Sequence, residues 1–362
     1  MNRRKINKNI ALLEYGGSHS ECMYFQLEAL KSKGYNVFLI CNRSLVDRFP
    51  DHSQFEDILP LNNSGKEVPF GTKFKDILKI RKYLTQNDIN TVVVNTLECR
   101  MLTYLFLLPI SKCKNIVGIV HKSQYITKSG TFKFFYRRVK KIFLLSDYLL
   151  ENLGNISKRL NVSTFYPIYF PSYNNYNLEK PEGEFWVCSP GNVWRGNKDA
   201  PALLDDMATK RLNDNVRILL LGTVETTVQD QIQTLEDKDK VFCYNEYVPQ
   251  NVLDAYMKKC DVIIPLIHHD LYDRRYGKKR ISGTYNLAYG YQKPMLLEKY
   301  VMDSNNDFEG ISIPYQLDTM VDIINRISCK PEEYTDALHN IQHHQYLNMK
   351  TQIEKYIGLI EK

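Results

Sequence analysis

Short apolar strands alternate with amphipathic helices along the first half of this 362-residue chain. The strand predicted at 9–15 (NIALLEY) leads through a glycine turn into a helix from about 22 to 33, and a second strand follows at 36–42. Strands joined through a helix pair in parallel, and helices then cover both faces of their sheet. The β-branched run at 91–96 (TVVVNT) is typical of such a buried strand. The first half is therefore predicted to form a doubly wound α/β domain.

The same alternation begins again after 171–181, a stretch rich in Asn, Tyr and Pro that is predicted to link two domains. The second half contains further predicted strands at 184–190 (EFWVCSP), 216–222 (VRILLLG) and 260–267 (CDVIIPLI). A chain of this length also exceeds one typical hydrophobic core. We expect a first domain over 1–172 and a second over 173–340, with a helix at about 340–362 that packs back on the first.

Three less regular stretches of the first half complete this prediction. The very apolar run at 99–109 is predicted to be a helix, and 164–170 (TFYPIYF) to be the last strand of the first domain. The stretch at 50–72 contains several Gly, Pro and Asn residues and is predicted to be a loop.

Composition restricts the classes of partner. Hydrophobic residues make up 43% of the chain and charged residues 25%, which is ordinary for a globular protein. The formal net charge of +7 favours phosphate-bearing ligands or an anionic membrane surface. No recognisable nucleic-acid-binding module accompanies that charge, so we expect no nucleic-acid partner.

Eight cysteines are spread through the chain without a CxxC or other close pair. Most lie in or beside apolar runs, which is typical of buried free thiols in a reducing compartment. The basic start MNRRKINKNI is not followed by the apolar segment of a signal peptide, and no apolar stretch approaches the roughly 18 residues of a membrane span. We expect a cytoplasmic protein, soluble or peripheral at the inner face of the plasma membrane.

A basic and aromatic segment at 132–143 (FKFFYRRVKKIF) is a candidate membrane contact. A helix of this composition can lie on an anionic bilayer with its rings in the headgroup layer. The alternative is a core helix whose basic residues face water.

The stretch KKRISGTYNLAYGYQKP at 278–294 contains the most distinctive candidate binding site. Its basic triplet ends at Arg280, directly before a predicted helix start that Ser282 or Thr284 can cap. Gly283 would let the backbone approach a ligand closely. A capped helix N-terminus beside basic residues can bind an anion, and we expect a diphosphate. The alternative is a solvated loop with an ordinary cap.

Three segments together resemble a known family. They are the Gly16-Gly17 turn with its continuation to 37, the turn GNVWRGNKD at 191–199, and the run from Tyr247-Val248-Pro249 to Pro294. In order and spacing they are similar to the motifs of GT-B-fold glycosyltransferases and, more loosely, of glycosyltransferase family 4. The resemblance implies two doubly wound Rossmann-like domains facing a cleft, the first for the acceptor and the second for a nucleotide-sugar donor.

The resemblance also implies roles for single residues. Gly16 and Gly17 would let the donor diphosphate or the acceptor approach the backbone. Lys198 and Arg195 would neutralise the diphosphate leaving group, where negative charge grows in the transition state. His121 would face the donor sugar, although a histidine satisfied by its own strand end is the alternative.

Acid–base chemistry has four candidates, Glu14, His19, Glu21 and Asp273. His268, His269 and Asp270 could suggest a metal, but adjacent side chains splay apart, so neither a metal nor another cofactor is expected.

One departure from the family leaves its chemistry open. The family usually has two glutamates eight positions apart before its Gly-x-Pro, and here those positions hold Lys279 and Leu287. Ribose recognition therefore differs, or donor binding has been lost. The expected function is transfer of a sugar from a nucleotide-sugar to a saccharide or lipid-linked saccharide acceptor in surface polysaccharide biosynthesis. The alternatives are a nucleotide-sugar epimerase and a catalytically silent saccharide-binding protein of the same fold.

Overall fold

The computed structural model describes residues 8–62, 69–107, 110, 113–128, 130, 137–154, 158–173 and 175–362. The chain divides into two compact units. Unit 1 comprises Met1–Pro171 with Met349–Lys362, and unit 2 comprises Ser172–Asn348. Within the described part of the chain, no helix has both the length and the apolar character needed to cross a bilayer.

Unit 1 is built on a seven-stranded sheet in the order β3-β2-β1-β4-β5-β6-β7, and every neighbouring pair is parallel. Its strands are β1 Asn9–Glu14, β2 Asn36–Asn42, β3 Asp57–Leu61, β4 Thr91–Val94, β5 Asn115–Ile119, β6 Lys141–Leu144 and β7 Asn161–Thr164. The central strands β1 and β4 are apolar and almost wholly buried, as expected for parallel strands covered on both faces.

Helices connect these strands. The unit contains α1 Ser20–Ser32, α2 Arg43–Val46, a 3₁₀ turn His52–Gln54, α3 Phe70–Gln86, α4 Leu102–Phe106, α5 Gln124–Lys128 and α6 Asp147–Glu151. Gly34, at φ 70°, lies just beyond α1 and lets the chain turn into β2.

Unit 2 repeats the plan with a six-stranded parallel sheet in the order β10-β9-β8-β11-β12-β13. Its strands are β8 Phe185–Pro190, β9 Val216–Leu221, β10 Val241–Cys243, β11 Val262–Ile263, β12 Met295–Glu298 and β13 Ser312–Tyr315. Its helices are α7 Ala200–Thr209, α8 Thr226–Gln233, α9 Gln250–Lys259, α10 His269–Leu271, a π-helical turn Tyr272–Tyr276, α11 Gly283–Gly290, α12 Lys299–Asp303, α13 Met320–Cys329 and α14 Pro331–Gln342. Short 3₁₀ turns occur at Lys238–Lys240 and Asn306–Phe308.

The prediction of two doubly wound parallel α/β domains is confirmed, but several local assignments are wrong. The loop predicted at 50–72 contains edge strand β3, whose half-exposed residues and Pro60 give no continuous apolar run. The last strand of unit 1 is β7 and not 164–170, because Pro167 has no amide to continue the ladder. The helix predicted at 99–109 is shorter than expected, because helix α4 covers only Leu102–Phe106 of the described residues 99–107. Residues 108–109 lie outside the described residues.

The strand predicted at 260–267 is also shorter than expected. Strand β11 covers Val262–Ile263 alone. Pro265 lacks an amide proton, and Leu266 adopts a left-handed conformation at φ 53°, which turns the chain away from the sheet.

The last helix, α15 Met349–Glu361, belongs to unit 1. The Tyr356 ring is fully buried and stacks on Phe143 with ring centroids 5.0 Å apart, and the rings of Phe25 and Phe165 contact its other sides. The Ile360 carbonyl accepts hydrogen bonds from Asn115 Nδ2 at 3.0 Å and Lys141 Nζ at 2.9 Å. Helix α15 therefore supplies part of the core of unit 1.

Replacing Tyr356 by alanine tests this dependence. The change would leave a large cavity among three aromatic rings, so we expect the free energy of unfolding of unit 1 to fall by about 3–5 kcal/mol. Chemical denaturation followed by circular dichroism would measure the loss. The matched control is Tyr300→Ala, because the Tyr300 side chain is 47% exposed. Equal unfolding midpoints for the two variants would contradict the prediction.

Candidate functional site

In unit 2, the loop after β8 places the buried cation Lys198 at the carboxyl end of the sheet. The Lys198 side chain is 6% exposed, and its Nζ lies 2.8 Å from Ser189 Oγ, 3.3 Å from the Pro265 carbonyl and 3.5 Å from Thr284 Oγ1. None of these partners is charged, and no carboxylate among the described residues pairs with Lys198. Burial lowers the pKa of Lys198 to about 7. A bound anion would supply the missing counter-charge.

The backbone of this loop depends on close approach between two turns. Gly191 and Gly196 adopt left-handed conformations at φ 92° and 83°. A Cβ atom on Gly222, which follows β9, would lie 2.6 Å from the Gly191 carbonyl. Only glycine at 222 lets the turns after β8 and β9 pack backbone to backbone, which fixes the path of the chain towards Lys198.

Two arginines border the same loop. The guanidinium groups of Arg275 and Arg280 lie 5.5 and 5.1 Å from the centre of the Tyr276 ring. Tyr276 donates from its hydroxyl to the Asn197 carbonyl at 3.3 Å, and Arg275 donates to the Gly196 carbonyl. Arg280 Nε is buried and has no hydrogen-bond partner among the described residues. Tyr276 of the π-helical turn thus contacts the loop that contains Lys198, and both guanidinium groups lie against its ring.

Helix α11 begins at Gly283 with Ser282 as its cap, as the sequence predicted, and its first turn lies beside Lys198. Ser282 Oγ accepts from the Thr284 amide at 3.3 Å, and Thr284 Oγ1 donates to the Pro190 carbonyl at 3.3 Å. Gly283 is exposed, with no atom within 4 Å of the position that a Cβ would occupy. The positive end of the helix dipole is therefore accessible at Gly283, next to a buried ammonium group.

Other predicted residues of unit 2 have different surroundings. Arg195 is exposed, and its described contact is made by its backbone amide, which donates to Glu225 Oε2 at 2.9 Å. His268 is buried between Asp199 Oδ2, 2.8 Å from Nδ1, and the Tyr315 hydroxyl, 2.9 Å from Nε2.

His269 and Asp273 also have separate partners. His269 Nδ1 pairs with Glu298 at 2.8 Å, and Asp273 accepts from the Tyr300 hydroxyl at 2.9 Å. No group of three His, Cys, Asp or Glu side chains in the described residues is arranged to hold a metal ion.

In unit 1, a buried carboxylate organises the turn after β1. Glu14 is fully buried and accepts from the Gly16 amide at 2.6 Å, Asn95 Nδ2 at 2.7 Å and Thr96 Oγ1 at 2.6 Å. Burial raises the pKa of Glu14. Gly17 has open space at its Cβ position, so the glycine turn is anchored at Gly16 and accessible at Gly17.

Two histidines stack beside this turn. The rings of His19 and His121 have centroids 3.9 Å apart and an interplanar angle of 22°. His121 Nε2 lies 2.7 Å from the Asn95 carbonyl, which can only accept, so Nε2 holds the proton and Nδ1 is an acceptor. Burial, together with the charge of His19, lowers the pKa of His121 to about 3, so this ring is neutral at physiological pH.

His19 is the titrating member of the pair. Its Nδ1 lies 3.2 Å from Glu21 Oε1. Burial alone would lower the pKa of His19, but the hydrogen bond and charge of Glu21 outweigh it and raise that pKa. Nearby, burial raises the pKa of Glu98 to about 6. Unit 1 therefore gathers carboxyl and imidazole groups whose pKa values are shifted in opposite directions, as in acid–base sites.

The predicted site residues thus form two groups. His19, Glu21, His121, Gly16 and Gly17 lie together in unit 1, and Lys198 with Arg280, Ser282, Gly283 and Thr284 lies in unit 2. The sequence interpretation missed the contributions of Asn95, Glu98, Ser189 and Tyr276. Asn95 and Glu98 follow β4 and Ser189 lies near the end of β8, so a systematic search of strand ends would have found these three.

Comparison with known proteins gives matches only at the level of structure. No protein-family model and no curated protein sequence matches this chain. A glycosyltransferase from Rickettsia africae has a TM-score of 0.68 at 14% identity, over 98% of both chains. Anabaena HepE in complex with UDP and glucose has a TM-score of 0.62 at 12% identity, over 98% of this chain and 99% of that one. The chain has the GT-B fold.

The GT-B fold confirms the predicted pair of Rossmann-like domains. A third GT-B match is S. aureus MnaA in a structure with UDP, with a TM-score of 0.56 at 13% identity over 98% of both chains. Identities this low show the fold alone. The narrower likeness to glycosyltransferase family 4 stays a prediction.

Because the charge of Lys198 has no counter-ion among the described residues of the folded protein, replacing this lysine is predicted to increase stability. The pKa of Lys198 is about 7 in the folded state, below the ordinary value near 10.4 that lysine has when unfolded. Folding therefore carries a penalty below pH 7 that is relieved as the pH rises towards 10. We expect Lys198→Met to raise the free energy of unfolding at pH 6 by on the order of a few kcal/mol.

The measurement is thermal unfolding of wild type and variant without ligand between pH 6 and 10. The stability advantage of the variant should shrink as the pH rises. A variant that is less stable at pH 6, by an amount independent of pH, would show that Lys198 is not an uncompensated cation. Lys330→Met is the control, because Lys330 is exposed.

Proposed function

We propose that this protein is a glycosyltransferase that moves a sugar from a nucleotide-sugar to a saccharide or lipid-linked saccharide acceptor. The buried ammonium group of Lys198, without a carboxylate and beside the accessible N-terminus of α11, is the observation on which the proposal rests. A diphosphate fits both features. UDP is the first nucleotide to test, because HepE and MnaA, which share the fold, have structures with it.

The proposed chemistry begins at the donor. The bond between the anomeric carbon and the phosphate oxygen breaks, and its electron pair stays on the diphosphate. Lys198, Arg280 and the amides at the start of α11 would stabilise that growing charge. We expect these protein cations to act without a metal ion.

The acceptor hydroxyl would lose its proton in unit 1. As its oxygen bonds to the anomeric carbon, His19 takes the proton, and Glu21 stabilises the resulting imidazolium. His121 is neutral and would offer its Nδ1 lone pair to a substrate hydroxyl. The same proposal includes a saccharide or lipid-linked saccharide as the acceptor and a role in surface polysaccharide biosynthesis at the cytoplasmic face of the membrane. This role is consistent with the fold that the chain shares with the lipopolysaccharide outer core galactosyltransferase WaaB.

Binding of UDP tests the donor site. Lys198→Ala and Arg280→Ala should each weaken UDP binding about ten- to a hundredfold, because each removes a charged contact to phosphate. Their affinity for uridine, which has no phosphate, should be unchanged. Calorimetry of the wild-type protein at pH 8 in buffers of different ionisation heat should show proton uptake, because a bound diphosphate raises the pKa of Lys198 above its free value of about 7.

The exposed residue Lys330 provides the control variant, Lys330→Ala, which should bind UDP like the wild type. Wild-type affinity in both site variants would show that the diphosphate binds elsewhere. If UDP, GDP, CMP and dTDP all fail to bind the wild-type protein, the absence of the family's two glutamates at 279 and 287 indicates that donor binding has been lost. The catalytically silent protein is then the better interpretation.

The dependence of transfer on pH tests the acid–base assignment. A neutral His19 is needed to accept the proton, so activity should rise as the pH passes the raised pKa of His19. Glu21→Gln removes the charge that raises this pKa, and the acid limb of the kcat/KM profile should move to lower pH. His121→Ala should lower activity at every pH, because His121 does not titrate in this range. An unmoved acid limb in Glu21→Gln would exclude His19 as the base.

Epimerisation of the nucleotide-sugar is the second candidate. The carboxyl and imidazole groups of unit 1 favour it, because epimerases also move protons on the sugar. Incubation with the donor and no acceptor separates the two functions. An altered sugar still attached to its nucleotide would establish an epimerase, whereas products that require an acceptor would establish a transferase.

A further inference from the structure

Three aromatic rings are clustered on the surface of unit 1. Phe70 and Phe74 of α3 and Tyr104 of α4 are 57%, 39% and 38% exposed. Their centroids are 5.5–6.3 Å apart, so each ring contacts the other two while remaining accessible to water. Contiguous exposed apolar groups, unlike single exposed apolar side chains, are typical of contact sites on protein surfaces.

Two exposed leucines belong to the same two segments of the chain. Leu78 of α3 is 52% exposed and Leu107, directly after α4, is 50% exposed. We call Phe70, Phe74, Leu78, Tyr104 and Leu107 the α3–α4 patch. Phe70, Phe74 and Leu78 follow one another at four-residue intervals and form one stripe of α3. The core of unit 1 does not need this stripe, since it is packed by a different stripe of the helix that contains Ile77, Ile80 and Leu84.

Positive charge surrounds the patch. Helix α3 has five basic residues and one acidic residue, the buried Asp76, whose Oδ1 lies 3.7 Å from Lys79 Nζ, so the exposed face of the helix keeps a net positive charge. Lys75, Lys79 and Lys82 are exposed on the water-facing side of α3, next to the apolar stripe. A surface depression that begins at Phe106 of α4 is also lined by basic residues, Lys114, Arg137 and Arg138. The whole region thus combines exposed rings with a basic border.

We propose that the α3–α4 patch docks unit 1 on an anionic lipid bilayer. The rings would lie in the headgroup layer, and the lysines would face the lipid phosphates, which is how basic amphipathic helices bind at membrane interfaces. A second copy of the chain fits less well. A two-fold interface would bring the patch against itself and oppose lysine to lysine.

This surface differs from the membrane contact predicted at 132–143. Residues 132–136 of that segment lie outside the described residues. Of its described residues 137–143, Arg137 and Arg138 line the depression at α4 and can add to the basic border of the α3–α4 patch. The predicted membrane helix is wrong for 141–143, because these residues belong to the buried strand β6. The proposal does not depend on the sugar chemistry, because none of these residues belongs to the candidate site.

Vesicle flotation tests the proposal with the full-length protein. Wild type should float with vesicles of equal parts phosphatidylglycerol and phosphatidylcholine, and less with phosphatidylcholine alone. Phe70→Ser with Phe74→Ser should weaken binding to the mixed vesicles about tenfold or more. Both side chains are exposed, so the variant should fold, and an unchanged circular dichroism melting curve would verify it.

A charge variant separates the two contributions. Changing Lys75, Lys79 and Lys82 to Gln should weaken binding to the mixed vesicles by roughly tenfold or more, and added salt should abolish the difference. The matched controls are Phe242→Ser, an exposed aromatic of unit 2, and the triple change of exposed Lys238, Lys330 and Lys350 to Gln. Both controls should float like the wild type.

Three outcomes would overturn the proposal. The first is wild-type protein that does not float with mixed vesicles, and the second is equal flotation of all variants. The third is a dimer in sedimentation velocity that Phe70→Ser with Phe74→Ser dissociates, without any vesicle binding. That result would assign the patch to a second copy of the chain.

Discussion

A buried lysine without a counter-ion is the constraint on which the donor-site interpretation depends. An ammonium group removed from water is unfavourable unless an opposite charge meets it, and Lys198 contacts only oxygen atoms of neutral groups. The fold maintains this position with two left-handed glycines, a backbone-to-backbone contact at Gly222 and an arginine-flanked tyrosine. These local features keep an unfavourable charge in place, and a bound ligand explains them better than a contribution to folding stability does.

The turn after the first strand of each sheet adjoins a buried ionisable group, which is acidic in unit 1 and basic in unit 2. In unit 1 a buried carboxylate, Glu14, accepts the Gly16 amide and leaves the turn beside two histidines. In unit 2 the corresponding turn leads to a buried cation. A carboxyl group is thus buried after the first strand of one sheet and an ammonium group after the first strand of the other, and the proposed function assigns the two units different steps.

Local signals in the sequence were sufficient for much of the architecture. The start of α11 at Gly283 follows from a cap residue that acts within two positions, and the buried strands follow from continuous apolar runs. Edge strand β3 lacks such a run, and Pro167 ends the ladder inside a segment whose composition resembles a strand. Those errors arise because pairing depends on neighbours that are distant in sequence.

The candidate site was predictable in residue type but not in environment. The sequence indicates that Lys198 is a cation near a glycine turn, whereas its burial and its contact with Thr284, 86 positions away, exist only in the folded chain. Glu14 and Asn95 are 81 positions apart and meet because β1 and β4 are adjacent in the sheet. The state of His121 follows from such long-range contacts, so a strand-end histidine alone could not reveal it.

The position of α15 has a consequence for the order in which the protein can fold during synthesis. The core of unit 1 includes Tyr356, which the ribosome adds only after all of unit 2. Unit 2 can therefore complete its core first. Until Tyr356 has been added, the aromatic pocket between Phe25, Phe143 and Phe165 in unit 1 stays empty. An apolar pocket exposed for that interval is the kind of surface that chaperones bind.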